Sequence, residues 1–286
     1  MTGMPADSDP GIRPVVSLRT IPAALVCLAA PALFVLQVSW LGWILLAAGM
    51  LTAALMERGA VVGRAPSLTR DLSLIAVGLL IVSAIDLAAE LDDLAMVRFT
   101  LALGGAVVVP YGISRWVYRD RAIRFPWRGG HAWKPWQWMW LGAVLILGWL
   151  LLPFYFLTSG VYLNWPVVDT PDLIARLFVG VGAVGIWDEL FFICTCFALL
   201  RRHFSDGAAN VLQAVVFVSF LWELGYRAWG PVLTIPFALL QAVIFLRTKS
   251  LGYVVTVHLL FDAVVFAVLV HAHNPGLLDW LFFISP

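Results

Sequence analysis

Asp188, Glu189, Glu223, His258 and Asp262 stand inside long apolar runs in the last third of the chain, and Asp86 stands in another far upstream. A charge at the centre of a bilayer costs about 2.5–3.5 kcal/mol even on the lenient insertion scale. Five ionisable residues in this stretch therefore point to a buried polar site. His258 and Asp262 are four residues apart, which puts them on one face of a helix. Asp188 and Glu189 are adjacent, about 100° apart around a helix, so both point inward only across a broad contact. Asp188 and Glu223 each lie some way from the turn near residue 205, so an antiparallel hairpin sets them at nearly the same depth. The chemistry such a set offers is water activation: a buried carboxylate acts as general base and an imidazole stabilises an oxyanion. No serine nucleophile accompanies the cluster, and HExxH is absent. No cofactor is implied. A carboxylate-rich site with one imidazole leaves a divalent metal open, without a diagnostic ligand spacing.

The elements that must position these residues are membrane helices. The 286 residues are 62% hydrophobic and 12% charged, against about a quarter charged in a soluble domain. The apolar blocks have the length needed to cross a bilayer. The expected fold is all-α: a polytopic transmembrane bundle of about nine spans, or eight. The spans are expected near 21–38, 40–56, 72–89, 95–113, 136–157, 173–200, 207–225, 231–246 and 251–271. Residues 1–20 read as a disordered cytoplasmic N-terminus without a cleaved signal peptide. Residues 21–113 form an N-terminal set of helices, 114–135 a basic cytoplasmic loop or interfacial helix, and 136–286 the core that carries the site. Trp280 and the residues after it are too short to span and fit the interface.

With the N-terminus in the cytoplasm, the alternate loops divide the 18 Lys and Arg residues 15 to 3. Arg98, Arg176 and Arg227 are the three on the outer side. The chain thus reads as an integral membrane protein of a bacterial plasma membrane, N-terminus inside and C-terminus outside. The 114–135 loop, with Trp127 and Trp133, is either an anionic-lipid site or a positive-inside signal with an aromatic belt. Nucleic acid is not an expected partner.

Each polar residue also has a plainer account. Glu223 near its helix end could be interfacial, with Arg227 one turn away. Asp86, with Glu90 one turn on, could belong to an ion pair with Arg98. Cys27, Cys194 and Cys196 lie in apolar runs, as small core residues do. Gly182, Gly185 and Glu189 recur at helical spacing, giving one face that is first small and then acidic; small residues let a neighbouring helix approach closely.

The order of these features resembles the CPBP family of CAAX prenyl protease 2 and lysostaphin-resistance-like membrane proteins. Its pattern is EExxxR, then FxxxH, then HxxxN or HxxxD. The resemblance covers about residues 180–265. Asp188-Glu189 stands where the family has Glu-Glu, and His258-Leu-Leu-Phe-Asp262 fits the third motif. The first-motif arginine position is Ile193. Glu223 falls at the second-motif histidine, and Ser219 at its phenylalanine. The resemblance implies an intramembrane endopeptidase acting on a membrane-associated peptide or protein. Asp188 would then be the first acid, and His258 and Asp262 would form the oxyanion pocket. A catalytically silent relative serving as scaffold or resistance factor, and a proton- or cation-coupled transporter, are the alternatives. No inverted repeat supports the last.

Overall fold

A computed structural model of the protein describes residues 18–58, 66–130 and 132–285. Among the described residues nine helices of eleven residues or more carry the fold: α1 Thr20–Val35, α2 Ser39–Glu57, α3 Leu68–Val82, α4 Asp93–Val117, α5 Pro135–Thr158, α6 Pro171–Leu200, α7 Asp206–Leu224, α8 Pro231–Thr248 and α9 Leu251–His273. Their starts follow from local chemistry. The side chains of Ser67, Asp92, Thr170, Ser205 and Ser250 each accept a hydrogen bond from a backbone N–H of the first turn. Pro135, Pro171 and Pro231 open their helices, where no N–H is needed.

Seven of the nine are long and apolar enough to cross a membrane; α1 and α3 are not. The span expected at 72–89 ends at Val82, because the chain leaves the helix at Ser83 and runs irregularly to Asp92. At 1.5 Å per residue α3 is about 22 Å long, short of a ~30 Å hydrocarbon core. Between Tyr118 and Lys134 no helix is found among the described residues. This basic segment runs as irregular backbone under the start of α9: Leu251 donates its N–H to Pro126 O at 2.8 Å, and Gly252 to Trp127 O at 3.2 Å. The expected disordered stretch 1–20 lies outside the described residues up to residue 17.

Contacts between the loops sort the helix ends into two sets. At one end, Arg202 pairs with Asp71 at 2.9 Å and with Asp120 at 2.6 Å, and His203 lies 2.6 Å from Asp71. At the other, Arg176 pairs with Asp93 at 2.5 Å and Asp172 at 2.9 Å. There too, Asn274 donates to Val168 O and Asn164 to Gly225 O. These sets are the ones that the alternation of basic residues assigns to opposite faces. The residues from Trp280 on fold back: Trp149 Nε1 donates to Leu281 O, and His271 Nε2 lies 2.9 Å from Ile284 O.

Of the seven membrane-length helices, α6, α7 and α9 are the most buried. A helix apolar on every face needs neighbours all round to hide a polar residue, and these three carry the acids and the imidazole. Gly185 sets how close α6 and α9 come: a Cβ there would overlap Asp262 Oδ2 and sit 3.4 Å from the His258 ring.

Candidate active site

At Glu189 the hydrogen bonding of α6 changes from α to π and remains so through Phe197. Single π-turns mark functional sites in many helices. Asp188 closes the α segment and Glu189 opens the π segment, so the two neighbouring acids look in different directions. Glu189 is wholly buried and faces α8 and α9. Its Oε1 accepts from Gln241 Nε2 at 2.6 Å and lies 2.7 Å from His258 Nδ1. Asp188 lies on the wall of a cavity of about 360 Å³, with Oδ2 3.5 Å from His258 Nε2. Asp262 completes the ring of carboxylates, its Oδ1 3.8 Å from the same nitrogen.

One imidazole thus sits among three carboxylates, all buried. Among the described residues no lysine or arginine pairs with those acids, so the imidazole is the cationic partner available to them. Nδ1 has a committed acceptor in Glu189, which fixes the ring's tautomer and orientation. Phe237 stands edge-on to the ring with centroids 4.8 Å apart, and Phe217 lies 6.1 Å away. Among the described residues, Asp188 Oδ1 and Glu189 Oε2 have no hydrogen-bond partner. Buried oxygens of this kind ordinarily find one.

Four of the five residues read from the sequence come together: Asp188, Glu189, His258 and Asp262. The fifth, Glu223, does not join them. Its carboxylate faces Gln37, Asp86, the backbone of Leu87 and Arg227. Residues 221 and 223 lie about 200° apart around an α-helix, and it is Leu221 that reaches the cavity beside Asp188 and His258. Phe217, one turn before Leu221, packs near His258. The Arg98 ion pair is made by Glu90, at 2.9 Å. Asp86 instead accepts from the Ala88 N–H at 2.8 Å. Ile193, at the first-motif arginine position, is buried among apolar side chains.

Gln241 escaped the sequence reading. A lone amide in an apolar span is its only signal, and that signal is shared by Gln213, which bonds Asn210 and Ala238 O between α7 and α8. Among the described residues no group of three or more His, Cys, Asp and Glu could hold a metal ion.

Residues 170–264 match the family described as Type II CAAX prenyl endopeptidase Rce1-like. This segment holds α6 to most of α9 and every member of the cluster. Neither a curated protein nor a solved structure matches the chain.

Proposed function

We propose, from a core of the Rce1-like branch of the CPBP family over residues 170–264, that this integral membrane protein is an intramembrane endopeptidase. The observation that carries the reading is the set of contacts around His258: Glu189 at Nδ1, with Asp188 and Asp262 at Nε2. Asp188 is the general base. It takes a proton from water as the water oxygen bonds to the carbonyl carbon of the scissile peptide. It then returns the proton to the amide nitrogen as the C–N bond breaks. In its imidazolium form His258 donates from Nδ1 to Glu189 and from Nε2 to the developing oxyanion, and a preorganised donor of this kind contributes about 3–4 kcal/mol. Glu189 and Gln241 are positioning residues. Asp262, four residues from His258, balances the charge of the imidazolium.

The protein sits in a plasma membrane with the Arg202 end in the cytoplasm and the Thr170 end outside, as the distribution of basic residues supports. The substrate is a membrane-associated peptide or protein. The 118–134 segment meets anionic lipid at the cytoplasmic surface.

A second reading, a catalytically silent relative, draws on Ile193 and Glu223, which stand where the resemblance puts the family's first-motif arginine and second-motif histidine, with Glu223 turned towards Gln37 and Asp86. Purified protein in vesicles decides between the two. Membrane-anchored reporters are cleaved by the wild type and not by Asp188→Asn or His258→Ala if the endopeptidase reading holds. If all three behave alike while remaining folded, the silent reading stands.

A further inference from the structure

At the end of the bundle that holds the Arg202 cluster lies a pocket of about 240 Å³, separate from the cavity beside Asp188. Pro126, Arg201, Phe245, Leu246 and Lys249 line it. Arg201 is the first residue after α6 and Lys249 the first after α8, so the pocket stands where helix ends meet the headgroups of a bilayer. Phe245 and Leu246 belong to the last turn of α8 and give the pocket an apolar wall that leads back along that helix.

Both cations are exposed, and each is held in place. Arg201 Nε donates to Asp206 at 2.6 Å, and its guanidinium carbon lies 5.3 Å from the centre of the Phe197 ring. Among the described residues its two Nη atoms make no hydrogen bond or ion pair, and neither does Lys249 Nζ. Lys249 takes the left-handed conformation, φ +52°, and its N–H closes α8 on Phe245 O at 2.7 Å. Glycine is the usual residue at such a cap, because a Cβ is strained there. The cap itself thus has no use for the lysine side chain. Arg201 and Lys249, less Asp206, leave one positive charge in excess. A phosphodiester carries one negative charge on two free oxygens, which suit a guanidinium and an ammonium side by side. The apolar wall offers nothing to free phosphate and does match an acyl chain.

We propose that this pocket binds the headgroup of one anionic phospholipid, its phosphodiester held by Arg201 and Lys249 and its acyl chain lying along Phe245 and Leu246. The 118–134 segment contributes only Pro126 to the pocket, so the site is more than the general attraction of that segment to anionic lipid. Pro126 O also accepts the N–H of Leu251 at the head of α9. The lipid therefore joins the ends of α6, α8 and α9, the three helices tied together at Glu189.

The test uses the full chain in neutral detergent, titrated with dioleoyl phosphatidylglycerol or dioleoyl phosphatidylcholine, with bound lipid read by native mass spectrometry and stability by the melting temperature. Phosphatidylglycerol should bind as a single tight adduct and raise the melting temperature with occupancy; phosphatidylcholine, which has no net charge, should do neither. Lys249→Gly and Arg201→Gln should each weaken the binding about five-fold, the scale of one cation against an anionic headgroup. Arg128→Gln, which removes an exposed cation of the 118–134 segment outside the pocket, should change it less than about two-fold. Without lipid, Lys249→Gly should melt close to wild type, since glycine's ease at φ +52° offsets its looser unfolded chain. Equal binding of the two lipids, displacement of phosphatidylglycerol by inorganic phosphate at the same concentration, or unchanged binding in Lys249→Gly and Arg201→Gln would each overturn the proposal. A loss in Arg128→Gln as large as in Lys249→Gly would overturn it too, and would leave only the general attraction of the segment.

Discussion

His258 Nδ1 lies 2.7 Å from Glu189 Oε1, and the same oxygen accepts the amide of Gln241 at 2.6 Å. One carboxylate oxygen thus ties α6, α8 and α9 together behind the face that reaches the cavity. The contact divides the acidic pair by position: Asp188 lines the cavity, and Glu189 holds the imidazole.

Glu189→Gln should therefore lower kcat by about 10², the scale of a misplaced catalytic group, with KM little changed. Gln241→Leu should weaken the same restraint and give a smaller fall of the same kind. Steady-state kinetics on a reporter peptide read the split. A rise in KM at constant kcat would place Glu189 in substrate binding instead.

Glu223→Gln should leave activity within about two-fold of wild type, as for a residue away from the reacting groups. Glu223 faces Gln37 and Asp86 on another side of α7. A loss as deep as that of His258→Ala would return it to the site.

Gly185→Ala should destabilise the protein by about 1–3 kcal/mol, the usual range for overpacking. The added methyl overlaps Asp262 and presses on His258. Thermal unfolding in detergent reads the loss, and activity should fall with it as α6 and α9 are pushed apart.

Asp71→Ala should cost about 3 kcal/mol, because it removes the shared partner of Arg202 and His203 from a buried ion pair. The clamp joins α3 to the turn between α6 and α7, far from the cavity. Unfolding should shift while the KM of the folded fraction stays constant.

Much of this arrangement was legible in the sequence. His258 and Asp262 share a face because 3.6 residues make a turn, and Gly185 foretold a close helix approach four residues before Glu189. Glu223 shows what depth alone leaves out. Its direction around the helix was not fixed by any periodicity in a span that is apolar on all faces. The end of α3 was hidden for a related reason: Ile85, Leu87 and Ala88 continue the apolar run after the backbone has left the helix. Gln241 carried too small a signal, since a buried amide reads alike whether it supports a catalytic residue or, like Gln213, joins two helices.

Single cysteines at Ser205 and Thr170, both exposed, should label from opposite sides of intact cells, Ser205 only after permeabilisation. Labelling of both from one side would contradict the alternation of helices that sets the Arg202 and Thr170 ends on opposite faces.

The central claim is that Asp188 activates water for peptide hydrolysis, and isotope transfer tests it most directly. Wild-type protein incubated with a membrane-anchored reporter in H2(18)O should release a fragment whose new C-terminal carboxyl carries one heavy oxygen. Asp188→Asn should form that product at least about 10² times more slowly, the lower end of what a general base contributes, while keeping its melting temperature. A labelled product formed equally fast by the folded Asp188→Asn variant, or no product from the wild type, would contradict the account.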